Sequence, residues 1–287
     1  CSYGDRETIV AEYNLYIKNK NKTLIAEKKQ NILPENGLAC VNQKFSNGNY
    51  IGQIYLNKSH GYGLTSWENS PHRYLGLYKN GLREGLGIYF FSPNEYYYGN
   101  FKDGERDSTW TTWYENGNKK FLASYSDGKL NGKYIRWYEG GIIKELDGEY
   151  LNNKKHKKWI YWSKNGQKIE EINYDNGVHH GSHIKWFGEK SDQHKNFHVN
   201  YKDGDKDGKW HYWYSSGVDS LKATYLNGEK DGHWIWWRKN GLKDKEGFYK
   251  KEKKHGLWTI WNDSTGSAYH KLHEETYVND AIDGNVT

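Results

Sequence analysis

The sequence predicts an all-β protein, a tandem array of about ten β-hairpins, and it does so through a repeat period, a turn chemistry and an alternation of side chains. An anchor aromatic recurs at Tyr78, Phe101, Tyr125, Tyr150, Tyr174, Tyr201, Tyr225, Tyr249 and Tyr277, with Ile54 in the same place one unit earlier. Spacings between anchors run from 23 to 28 residues and are 24 in five of nine cases, so each unit has room for two strands and two turns. Three residues after most anchors stands a glycine, and seven after stands another. A tryptophan follows five residues beyond that, from Trp113 through Trp261.

Each element of the unit has a local cause. The dipeptides Asn80-Gly81, Asp103-Gly104, Asp127-Gly128 and Asn227-Gly228 suit the positive φ of a two-residue hairpin turn. Ahead of the anchor, apolar residues alternate, as in Phe121/Ala123/Tyr125 and Leu221/Ala223/Tyr225, which is the period of a half-buried strand. After the second glycine a further strand is expected, as over 209–214 and 233–238. Asn116-Gly117, Asn165-Gly166 and Asn240-Gly241 then pass the chain to the next hairpin.

Early units, such as Tyr50-Ile51-Gly52 to Gly61-Tyr62-Gly63, resemble MORN repeats. Later ones, such as the stretch from Tyr225 to Trp237, resemble the bacterial MORN-variant repeat, and the likeness covers about residues 45–286. The resemblance implies stacked hairpins in one elongated, twisted antiparallel sheet, which at about 4.8 Å per strand would extend roughly 95 Å, with nearest-neighbour contacts only. Ser108 and Lys157 depart from it by replacing the second glycine, and two units carry insertions before Tyr201 and Tyr277. Residues 45–287 are thus assigned to the repeat array and residues 1–44, which do not match, to an N-terminal tether or cap.

Alternation separates two faces on each second strand. One carries a β-branched residue plus Trp in most units (Ile135/Trp137, Ile160/Trp162, Ile184/Trp186, Ile235/Trp237) and reads as the structural ladder. On the other, the second member varies in size and charge. A binding surface wants such differences, so Arg136, Tyr161, Lys185, Tyr212 and Trp236 are the candidate partner contacts; plain solvent-facing strand residues are the alternative.

Composition narrows the rest. The 287 residues have a hydrophobic fraction of 35%, below that of an ordinary globule, and aromatics at 17% supply the missing buried area. Net charge is +6, from 42 basic against 36 acidic residues. The basic runs 154–158 and 250–254 read as solvated turns, with an acidic partner or anionic lipid as the alternative. No arginine-rich arm or nucleic-acid motif accompanies them. Asp203-Gly-Asp205-Lys-Asp207-Gly208 opens like a calcium loop but has Tyr214 where the bidentate Glu is needed. His179, His180, His183, His194 and His198 lack a zinc-ligand pattern. Two glycine pairs ahead of Lys133 and Lys209 fall one residue short of a phosphate loop. No nucleophile elbow occurs. These observations predict no metal, no cofactor and no enzymatic activity.

The chain starts Cys1-Ser2 and contains no Met. Such a start resembles that of a mature bacterial lipoprotein, with Cys1 carrying the lipid and Ser2 compatible with outer-membrane sorting; an arbitrary start and a Cys1–Cys40 disulfide are the alternatives. The expected location is then the periplasmic face of the cell envelope, held through an N-terminal lipid anchor. Bacterial MORN-variant proteins are commonly assigned to toxin–immunity pairs. The resemblance therefore implies an immunity protein that binds and neutralises a cognate secreted antibacterial toxin, with a lipid- or cell-wall-degrading effector fitting the compartment. The alternative is an envelope scaffold or adhesin that binds a surface ligand or lipid.

Overall fold

The computed structural model describes residues 39–92, 95–114, 116–188, 194–262 and 270–283. It is all-β: every strand pairing is antiparallel, and no helix occurs among the described residues. The chain divides into two compact units, one ending at Ile142 and one starting at Ile143. Cys1 lies outside the described residues, as does the rest of the expected tether up to residue 38. The first strand starts at Ala39, so the ladder takes in the last residues of the segment assigned to the cap.

The N-terminal unit runs β1 (Ala39–Phe45), β2 (Gly48–Tyr55), β3 (Lys58–Trp67), β4 (Arg73–Lys79), β5 (Leu82–Ser92), β6 (Glu95–Lys102), β7 (Glu105–Trp113), β8 (Lys119–Ser126) and β9 (Lys129–Trp137), each paired with the next. In the C-terminal unit the long strands are β10 (Lys144–Leu151), β11 (Lys154–Trp162), β12 (Lys168–Asp175), β13 (Val178–Trp186), β14 (Lys195–Lys202), β16 (Gly208–Trp213), β17 (Asp219–Leu226), β19 (Gly232–Trp237), β20 (Lys243–Lys250), β21 (Lys253–Trp261) and β22 (Lys271–Val278). Two-residue strands β15 (Asp205–Lys206), β18 (Glu229–Lys230) and β23 (Ala281–Ile282) close three of its turns.

The turns form as their chemistry dictates. Asn227 and Gly228 sit at φ 50° and 88°, the paired positive φ of a type I′ turn, whose twist matches the flanking strands. The second glycine of the unit also adopts positive φ, at Gly208 and Gly232 for example. Ser108 and Lys157, which replace it, keep the same backbone at φ 57° and 58°. The fold imposes this conformation on residues that resist it by about 1–2 kcal/mol each.

A single antiparallel layer must build its core from side chains lying along its own surface. Trp110, Trp159, Trp210, Trp234 and Trp258 do this, at 1%, 1%, 5%, 4% and 6% exposure. Each indole lies flat on the sheet and donates its Nε1–H to a backbone carbonyl ten residues earlier: Asn100, Glu149, Asn200, Thr224 and Phe248, at 2.8–3.1 Å. Glycine makes the room beneath three of them. A Cβ on Gly99, Gly148 or Gly247 would overlap the ring of Trp110, Trp159 or Trp258. Anchor rings then stand edge-on against the indoles, as Tyr150 does on Trp159 (5.0 Å, 84°) and Tyr249 on Trp258 (5.1 Å, 88°).

Candidate partner-binding face

Register places the candidate residues. On the aromatic face of the C-terminal unit, directly opposed residues form one lateral row: Leu146, Tyr161, Glu170, Lys185, Phe197, Tyr212, Leu221, Trp236, Lys245, Ile260 and His273. Tyr161, Lys185, Tyr212 and Trp236 are alternate members of it, two strands or about 9.6 Å apart. Arg136 ends the corresponding row of the N-terminal unit, which runs Gln43, Tyr50, Thr65, Tyr74, Tyr89, Tyr97, Thr112, Phe121, Arg136.

Their burial corrects the division of faces. The Ile/Trp stripe was the expected structural ladder, and Trp113 and Trp261 in it are buried, but Trp137, Trp162, Trp186, Trp213 and Trp237 are only half-buried. The most deeply buried tryptophans, at 1–6% exposure, lie on the other face, beside the candidate contacts. Burial differs there between neighbouring positions of one strand, because the flat indole needs the close backbone approach and the flanking anchor rings. In the C-terminal unit the residue two further along is half-buried or exposed. Tyr212 and Trp236 are half-buried and pack against the cluster of Val199, Trp210, Ala223 and Trp234. Tyr161 stands 6.4 Å from Trp159, and Trp236 bridges Trp234 and Trp258 at 5.5 and 5.9 Å. These aromatics therefore serve the fold as well as offering contact area, and their truncation does not leave the fold untouched. Burial pushes the Tyr212 hydroxyl up to about 12, with the Tyr201 and Tyr225 hydroxyls adding to the rise. Lys185 alone among the five is exposed; Arg136 is half-buried.

A cation five residues past the anchor completes this face, and sequence reasoning missed it. Lys206 Nζ sits 4.8 Å from the rings of both Trp210 and Tyr225. Lys155 lies 4.5 Å over Trp159 and 5.1 Å over Tyr174, and Lys254 lies 4.8 Å over Trp258 and 4.5 Å over Tyr277. Arg106 does the same at Trp110 and Tyr125. Each cation spans its own unit's indole and the next unit's anchor, a cation–π clamp worth about 0.5–2 kcal/mol. The signal was in the fixed offset from the anchor.

Among the units anchored from Phe101 to Tyr249, two break the pattern, one with Leu130 and Tyr134 in the places of the cation and the tryptophan, the other with two histidines. His179 takes the cation's place and His183 the tryptophan's, with ring centroids 5.5 Å apart. His183 Nε2 lies 2.9 Å from Glu170 Oε1, and this hydrogen bond is the chief cause that holds the Glu170 carboxyl below its usual range. Burial lowers the His179 pKa, and the neighbouring His183 adds to the fall. Both imidazoles are absorbed in ring and carboxylate contacts: His179 also stands edge-on to Tyr174 and Tyr201. The acidic stretch at 203–207 is a hairpin turn, in which Asp203 reaches His180 and Asp207 accepts from the backbone N–H of Asn227. No group of three or more metal-ligating side chains occurs among the described residues. No protein-family model matches the chain, and no curated protein matches it either.

Proposed function

We propose that this protein binds and neutralises a secreted antibacterial toxin at the cell envelope, acting by occupancy rather than by chemistry. The observation that carries the reading is the lateral row on the aromatic face. Its members share one register position, yet they differ copy by copy in size, polarity and charge. Repetition for stability alone gives no reason for such differences, whereas recognition of one large, asymmetric partner does. Tyr161, Tyr212 and Trp236 supply rigid anchors of the type that dominates interface energetics, with Lys185 in the same row, and Arg136 in the row of the N-terminal unit, to fix register through charge. In this reading the array covers the toxin's active site or substrate entrance, and lysines of the turns form the rim. The likeness of the repeat to bacterial MORN-variant proteins supports the choice of a toxin as partner. A lipid on Cys1 would hold the protein where a lipid- or cell-wall-degrading toxin acts.

The test is genetic and then physical. Deleting the gene and challenging the cells with the toxin-producing parent should kill them, and restoring the gene should protect them. The full chain should form a stable complex with the toxin. Survival equal to wild type, with no such complex, would overturn the reading and favour an envelope scaffold or adhesin.

A further inference from the structure

The opposite face of the C-terminal unit carries a second lateral row: Asp147, Ile160, Glu171, Ile184, His198, His211, Lys222, Ile235, Glu246, Thr259, Glu274. It has a rule and one exception. Over most of its length an acid alternates with an aliphatic or Thr residue. Each acid pairs with a lysine three residues earlier on its strand, as Lys144–Asp147, Lys168–Glu171, Lys243–Glu246 and Lys271–Glu274 at 2.5–3.0 Å. Those pairs are neutral. In the middle the rule fails three times in succession. Lys195 precedes His198 instead of an acid, His211 replaces the aliphatic residue, and the next pair is inverted as Asp219–Lys222.

We infer that this central stretch is a carboxylate-binding site, built for an acidic segment of a protein partner. Among the described residues Asp219 is the only acid in it, and both its oxygens are engaged: Oδ1 lies 2.6 Å from His211 Nε2 and Oδ2 lies 2.6 Å from Lys222 Nζ. It holds those two side chains in place. His198 is fixed by Ser182, whose Oγ lies 2.9 Å from Nε2. Lys195 has no acid partner among the described residues and rests over the Trp213 ring at 5.9 Å. Lys209, two residues before His211 on the same strand face, is exposed. The stretch thus sums to net positive with neutral imidazoles, flanked by neutral ion pairs, and neighbouring side chains in the row are about 4.8 Å apart. A carboxylate set there meets several donors on one face and completes the charge pairing that every neighbouring unit completes for itself. The inference names a contact on the face opposite the proposed toxin row, and it stands without that row.

Protonation sets the strength of the site. Burial lowers the pKa of His198, with Lys195 and His211 adding to the fall; burial is also the chief cause at His211, where Asp219 opposes it. The groups facing these imidazoles are Ser182 on β13, Lys195 on β14, Lys209 on β16, and Asp219 and Lys222 on β17. Glu171 lies two strands from His198 on one side, and Glu246 three strands from His211 on the other. Both imidazoles take up a proton less readily than a free imidazole, so the charge that adds attraction for an anion comes only as the pH falls below the ordinary imidazole range.

A capped, labelled hexa-aspartate peptide is the probe, titrated into the full chain by fluorescence anisotropy at pH 7.5 and pH 5.5. The expected result is binding that tightens several-fold at the lower pH, with no binding of hexa-asparagine. The double variant His198→Glu/His211→Ile installs residues that the row already tolerates at Glu171, Ile184, Ile235 and Glu246, so the fold is kept and circular dichroism checks it. That variant should bind at least tenfold more weakly and lose the pH gain. Equal binding in the variant, or a pH gain that survives in it, would overturn the inference. Because no toxin enters the assay, its failure and the failure of the immunity reading are separate results.

Discussion

Replacing Gly148 by Ala adds one methyl group to the sheet, and the structure says where it goes. The new Cβ overlaps Trp159 Cδ2 and Cε2 and lies 2.8 Å from Cε3. The indole has no easy retreat. Its Nε1–H is tied to the Glu149 carbonyl at 3.0 Å, Tyr150 stands edge-on at 5.0 Å, and Lys155 covers it at 4.5 Å. Trp159 is 1% exposed, so lifting it opens contacts along the whole ring. Such overpacking costs about 1–3 kcal/mol. The control is Gly140→Ala, where nothing lies within 4 Å and φ is not positive; it should stay within about 0.5 kcal/mol of wild type. Urea denaturation followed by circular dichroism reads the difference as a shift in midpoint at unchanged slope. Gly247→Ala, which meets Trp258 in the same way, should repeat the loss. If Gly148→Ala costs no more than Gly140→Ala, the glycine-and-indole account of the core is wrong.

Trp210→Ala should destabilise by about 3–5 kcal/mol, and Trp213→Ala, half-buried on the opposite face, by clearly less in the same denaturation assay. Lys157→Gly relieves a positive φ of 58° and should raise the stability by up to about 1 kcal/mol; a loss would show that the Lys157–Glu149 ion pair outweighs the strain. His179, His198 and His211 all have folded pKa values below 6.5, so the unfolded chain takes up protons first, and stability should fall as the pH drops below 6.5. Glu170 titrates below 4.5 in the fold, so its contribution is present above 4.5 and lost as the pH falls through its lowered folded value. His179→Lys, which restores the clamp cation, should flatten the first of these two steps in a thermal melt series.

The hairpins, their turns and the repeat register were legible because each rests on local chemistry. Asn-Gly at the tight turn, glycine at the second positive φ and alternation before the anchor all act within a few residues. The face assignment was not, because period two separates the faces without saying which is buried. Trp110, Trp159, Trp210, Trp234 and Trp258 recur in five of the seven units that carry Trp113 to Trp261, with Tyr134 and His183 in the other two, so repetition alone favours the wrong stripe. What sets them apart is the room made by Gly99, Gly148 and Gly247 and the anchor rings of two consecutive units, which is information from neighbouring strands. The clamp lysines were hidden for a related reason. Lys155 and Lys254 stand inside basic runs that read as solvated turns, while the structure lays their charges over two rings each. The candidate row was found by its variability, and the half-burial of Tyr212 and Trp236 was not, since a residue that differs between copies can still pack on a constant neighbour.

The central claim, neutralisation by occupancy through the variable row, is tested most directly by titrating the purified toxin into the full chain by calorimetry, for wild type and for Lys185→Glu. Lys185 is exposed, so its charge reversal leaves the buried ladder in place. The account predicts a one-to-one complex that Lys185→Glu weakens at least tenfold, with no more than the small loss of stability expected from a like charge opposite Glu170. Failure to bind, or a complex indifferent to Lys185→Glu, would contradict it.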